Sequence, residues 1–209
     1  MLRLIRRSCT MSCLGCLLPP LIVLAVIAYG IHLMTTPPSY ARVTPAPASA
    51  VVLAAARGIE QALAVEAPVA RIQLDDQQAT TLLRQTLAGY VGLGDLEVHI
   101  LQGRVVVTGQ TAILNHTLVV SGPVSLTSGG GTLVDLHFQG LWIGQLGLPE
   151  VVPLLLSRGL RPQFNLDLVA PGRTLRFACS SAAPNSLTVG LLYNSQANAK
   201  TSSACSAAP

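Results

Sequence analysis

At 209 residues the chain has room for one domain with a substantial core once an anchor and a linker are set aside. Half of the residues are hydrophobic, 11% are charged and 4% aromatic, so the body is built from Leu and Val under a thinly charged surface. Arg3, Arg6 and Arg7 supply three units of the formal +4 charge, and the near-neutral remainder argues against nucleic acid or another polyanion as a partner.

Residues 14–34, LGCLLPPLIVLAVIAYGIHLM, carry no acidic or basic side chain apart from His32. About 20 helical residues cross the hydrocarbon of a bilayer. Three arginines on the short amino side favour keeping that side in the cytoplasm, so the expectation is a transmembrane anchor, with 1–13 inside and everything after Met34 outside the cytoplasmic membrane. The competing expectation is a secretory signal whose apolar helix begins after Pro19 and Pro20 and is cleaved to give a secreted protein. Cys9, Cys13 and Cys16 precede the apolar core, whereas Cys179 and Cys205 follow it and are candidates for a disulfide. Cys13 and Cys16 have the form C-x-x-C, but no second pair or histidine accompanies them as a metal site requires.

Residues 35–50, TTPPSYARVTPAPASA, lack apolar periodicity and read as a Pro/Ala-rich linker to an extracytoplasmic domain over 51–193. Val51, Val52, Ala55, Ala56, Ile59 and Leu63 then recur on one side of a helical period. Val69 to Leu74 alternates as a short strand. Asp75 followed by Gln78 has the form of a capping box and opens a helix over Asp76–Ala88, whose apolar face is Ala79, Leu82, Leu83 and Leu87.

From Leu96 the period becomes two. Leu96, Val98 and Ile100 alternate with Glu97 and His99, Gln102-Gly103 turns, and a Val-rich strand returns over Arg104–Ala112. A third strand over Leu118–Ser125 is broken or bulged at Gly122-Pro123, because proline donates nothing to a ladder. A long strand over Thr132–Ile143 places Val134, Leu136, Phe138 and Trp142 on one face and Asp135 and His137 on the other. Leu148–Leu160 predicts a short helix. Gln163–Val169, Thr174–Ser180 and Leu187–Tyr193 predict further strands, and the Ser- and Ala-rich stretch 194–209 predicts a disordered tail. The fold class expected is α+β: an N-terminal transmembrane helix followed by a curved antiparallel sheet packed around amphipathic helices.

The order of QLDDQQATTLLRQTL, the hairpin LEVHILQGRVVVTGQ and the segment IGQLGLPEVVPLLL resembles membrane-anchored bacterial proteins of the YpmS-like type and exported tubular lipid-binding-like domains. Asp75, Gln78, Leu82 and Leu83 match the first element of that pattern. Gly103, Val105, Val107 and Gly109 match the second, and Gly144, Leu146 and Pro149 the third. Thr81 stands where the pattern has asparagine. The resemblance covers 74–160 and implies a strongly curved antiparallel sheet around a long helix.

Chemistry-bearing residues are sparse. His99, His116 and His137 form no ligand spacing such as H-E-x-x-H, and His99 and His137 fall on polar strand faces where solvated histidine is the plain reading. Asp75-Asp76 is accounted for by the helix cap, and no nucleophile elbow or phosphate-binding glycine motif occurs. Asn115-His116-Thr117 is a glycosylation sequon that also suits a turn. The expectation is therefore a non-catalytic protein without metal or cofactor, whose domain takes a lipid, an acyl chain or another apolar ligand. Its candidate lining is Leu82, Leu83, Val105, Val107, Val134, Leu136, Phe138 and Trp142. The alternative is an envelope structural or assembly protein that binds a protein partner.

Overall fold

The computed structural model describes residues 2–67, 69–87, 94–113, 116–152, 163–166 and 175–192, with side chains from Pro19 onward except those of Ile113 and Phe164. Among them are three helices, α1 (Leu2–Thr35), α2 (Ala48–Ala64) and α3 (Asp76–Leu87). The strands are β1 (Val69–Leu74), β2 (Gly94–Leu101), β3 (Arg104–Ile113), β4 (His116–Gly130), β5 (Leu133–Phe138), β6 (Trp142–Ile143), β7 (Leu146–Gly147), β8 (Gln163–Asn165), β9 (Arg176–Ala183) and β10 (Ser186–Leu192). The chain is α+β, and its strand pairs are antiparallel.

Helix α1 runs through Pro19 and Pro20 rather than starting after them. Among the described residues no helix is long and apolar enough to cross a membrane, and the uncharged 14–34 stretch begins upstream of the first described side chain. Leu21, Ile22, Val23 and Leu24 are each more than half exposed. Four consecutive helical positions at about 100° apart cover the whole circumference, so this part of α1 is apolar on every side, and each of these side chains is largely uncovered by the described residues.

The strands form two sheets rather than one. A three-stranded sheet has the order β1-β10-β9, and a seven-stranded sheet has β2-β3-β4-β5-β8 with β6 and β7 appended beside β4. The two are tied at one corner, where the β2–β3 and β9–β10 turns meet: Gly103 N–H donates to Ala182 O at 3.0 Å and Asn185 N–H to Ile100 O at 3.1 Å. Both turn residues have positive φ, 73° at Gly103 and 59° at Asn185, the region that glycine and asparagine tolerate best.

Local signals account for most elements. In the capping box Gln78 N–H donates to Asp75 Oδ1 at 2.8 Å, and Asp75 N–H donates to Gln78 Oε1 at 3.2 Å. Strand β4 is unbroken, contrary to expectation, although it contains Gly122-Pro123. On one side it pairs with β6 at Val120 and Ser121 and with β5 from Val124 onward, so the proline falls where the neighbour changes. Its missing N–H costs no bond there. The expected Thr132–Ile143 strand is divided for the same reason: β5 ends at Phe138, and the chain re-enters as β6 after Gly140. The 148–160 helix beyond Val152, residues 167–169 of the expected 163–169 strand, Cys205 and the 194–209 tail lie outside the described residues.

The core lies between the sheets and beneath α2 and α3. Ile72, Ile100, Leu166, Leu175 and Leu191 are its largest fully enclosed side chains, each contributing about 1.5–3 kcal/mol by leaving water. Helix α2 buries Val51, Ala55, Gly58, Ile59 and Ala62 against β1, so closely that a Cβ on Gly58 would collide with Arg71 O.

The 35–50 stretch is not a free linker. Thr81 Oγ1 donates to Ala46 O at 2.6 Å, Ala46 N–H to Gln77 O at 3.2 Å and Val43 N–H to Glu97 Oε2 at 3.3 Å. At the start of this strap, Gln145 N–H donates to Leu33 O at 2.8 Å, satisfying one of the carbonyls that a helix end leaves open. The end of α1 is thereby fixed to the β6–β7 hairpin.

Candidate functional site

Strand β2 is the edge of the seven-stranded sheet, and α3 lies along it. Asp76, Thr80 and Arg84 recur every four residues and so share one helix face. Asp76 Oδ1 accepts Ile100 N–H at 3.1 Å, Thr80 Oγ1 accepts Val98 N–H at 2.8 Å, and Arg84 Nε donates to Leu96 O at 2.7 Å. Four helical residues rise about 6 Å and two strand residues about 6.7 Å. The two spacings are close enough for a helix to serve an edge in register over three contacts. Backbone groups that would otherwise template another strand are occupied by side chains.

The adjoining face of α3 is apolar and roofs a cavity of about 60 Å³ between the two sheets. Ala79, Leu82, Leu83 and Thr86 line it from α3, and Ile72, Leu74, Leu187, Val189 and Leu191 from the three-stranded sheet. Val98, Val105, Val107, Val124, Leu126 and Leu136 close it from the other sheet, and Leu166 adds a further wall. No charged side chain lines it, and the Thr86 hydroxyl is turned back onto Leu82 O at 2.8 Å. A space of this size and lining stays dry, because a water needs polar partners as well as room. It suits a few methylene groups, such as the end of an acyl chain. A longer chain requires α3 to move away from the sheets.

Of the residues expected to line such a site, Leu82, Leu83, Val105, Val107 and Leu136 do so. Val134 is fully enclosed in the surrounding core, and Phe138 packs partly buried against it. Trp142 is elsewhere. The division of the long strand places it on β6, 38% exposed, against the opposite face of the seven-stranded sheet. The lining from Ile72, Leu74, Leu187, Val189 and Leu191 went unidentified from sequence, although their alternation is visible there; what was hidden is that β1 and β10 pair with each other. Cys179 is disulfide-bonded, while Cys205 lies outside the described residues.

The outer face differs from expectation at His99, which is buried rather than solvated because the strap covers it. Its ring stacks on Tyr40 with centroids 4.8 Å apart and planes 21° apart. His99 Nε2 is 3.3 Å from Thr108 Oγ1 and 3.7 Å from Glu97 Oε2. Burial holds the imidazole below its ordinary value, against the opposing pull of the Glu97 and Asp76 carboxylates. His116 and His137 are exposed, and Asp135 accepts a 2.7 Å hydrogen bond from Gln163 Nε2. Among the described residues no group of three or more His, Cys, Asp or Glu side chains is placed to hold a metal ion.

No protein-family model matches the chain, and neither a curated protein nor a solved structure matches it.

Proposed function

We propose that the chain is a membrane-anchored extracytoplasmic protein whose domain binds an apolar ligand, a lipid or acyl chain, without catalysing a reaction on it. The observation that carries this reading is the uncharged aliphatic cavity between α3 and both sheets. Burial of apolar surface drives entry, and the absence of a polar anchor in the lining leaves the head group of the ligand at the rim. The clasp of Asp76, Thr80 and Arg84 on β2 keeps the roof shut when no ligand is present. It also occupies the β2 edge, one of the sheet edges that a protein partner would extend.

The anchor belongs to the same proposal. A helix that is apolar all round suits a bilayer, and the exposed Leu21–Leu24 circumference together with the uncharged residues that precede it supports that placement for 14–34. The amino-terminal arginines favour the domain lying outside. The disulfide at Cys179 suits an oxidising compartment, and we assign Cys205 as its partner.

Native mass spectrometry of the 209-residue chain released from detergent tests the ligand. The expected result is a retained acyl-bearing species, or uptake of a fluorescent fatty acid, that Leu83→Trp abolishes by filling the cavity. An apo mass from cells with no uptake by the native chain would overturn the reading.

A further inference from the structure

A second hollow, of about 290 Å³, opens on the outer face of the seven-stranded sheet, between the strap and β6. We propose that it seats the phosphate-bearing head group of a bilayer phospholipid, holding the domain down on the membrane surface. The proposal rests on the reading of α1 as a membrane anchor.

Position comes first. Pro38, which lines the hollow, is three residues beyond the last residue of α1, so the chain places it within about 11 Å of the helix end at full extension. Gly144 and Gln145, on the opposite wall, are in direct contact with that end. Gln145 N–H donates to Leu33 O, and a Cβ on Gly144 would collide with the carbonyls of Leu33 and Met34. The head-group layer adds about 5–8 Å on each side of the hydrocarbon. The hollow therefore opens at the depth where head groups lie.

Its chemistry fits the same layer. Arg104 is exposed on one wall, and its side chain makes no hydrogen bond or ion pair among the described residues. A guanidinium pairs with phosphate oxygens through two parallel N–H donors. Trp142 and Tyr40 line the hollow beside it, 38% and 36% exposed. These are the two side chains that gather at membrane–water boundaries, where an apolar ring and a polar tip are both satisfied. In the core Trp142 would have served packing alone; on β6 it stands beside the anchor.

Trp142 is the only tryptophan in the chain, so its emission reports on this place alone. The 209-residue chain is reconstituted into phosphatidylcholine vesicles carrying a minor fraction of lipid brominated near the carbonyl, either phosphatidylglycerol or phosphatidylcholine. Quenching by both bromolipids is expected. One well-placed arginine near an anionic surface favours the association of phosphatidylglycerol about fivefold over random mixing, and Arg104→Gln removes that preference while leaving the quenching by bromophosphatidylcholine. A chain that does not float with the vesicles overturns the anchor reading. A chain that floats with Trp142 unquenched, or with equal phosphatidylglycerol preference in Arg104→Gln, overturns the seat alone. Inorganic phosphate added outside unbrominated vesicles is expected to leave the emission unchanged; a shift that Arg104→Gln abolishes would make the ligand free phosphate and overturn the lipid assignment.

Discussion

On its inner face the seven-stranded sheet presents Val98, Ile100, Val105, Val107, Val124 and Leu136 to α3 and the smaller sheet. On its outer face, one residue over in each strand, it presents His99, Val106, Thr108 and Ser121, all buried as well. The inner face is closed by aliphatic packing from elements with strong periods of their own. The outer face is closed by the 36–47 strap and a two-residue strand, through one aromatic stack and isolated hydrogen bonds. Equal burial thus has two physical origins, and they divide the work: the inner face supplies the aliphatic core and its cavity, while the outer face joins the domain to the end of α1.

The largest effect that sharpens this contrast is Ile100→Ala. Ile100 is 1% exposed and central to the inner core, and its truncation is expected to cost about 2–5 kcal/mol in denaturant unfolding. Tyr40→Ala, which removes the stack from the outer face, should cost clearly less; an equal loss would break the comparison. Thr80→Val is next. It keeps the shape of a fully buried side chain but leaves the Val98 N–H without its acceptor, so about 1–3 kcal/mol is expected. Faster amide exchange at Val98 and Ile100 than in β3 would show that the edge has opened locally, and unchanged exchange there would refute the role given to the clasp.

The inner face was the legible one. The bounds of β1, the capping box at Asp75 and Gln78 and the α3 stripe followed from local rules of period and capping, and five of the lining residues came with them. Alternation identifies the two faces of a strand, but it does not state what covers the polar one. His99 looked solvated because the cover comes from a proline-rich stretch with no period to read. Trp142 looked buried because a count of two carried on through Gly140, where the strand changes. The pairing of β1 with β10 joins residues more than a hundred positions apart, and neither strand carries a mark of the other.

The smallest effect lies at His99, where burial and the two carboxylates act in opposite directions. Burial prevails, so the folded imidazole binds its proton less readily than the unfolded one, whose ordinary value is 6.5. Between the two values the unfolded chain holds more protons. Stability therefore rises with pH in that window; it is complete above 6.5 and declines as pH falls through 6.5 toward the lower folded value. Tyr40 and Thr108 face the ring directly, and neither relieves a buried imidazolium as a carboxylate would. Thermal midpoints measured from about pH 8 to about pH 5, spanning the ordinary histidine range, should fall more steeply for the native chain than for His99→Gln. Parallel curves would assign the acid sensitivity to other groups. A steeper fall accompanied by loss of the Tyr40 ring-current shift on the neighbouring protons would place the first acid-induced opening at the strap, before the inner face yields.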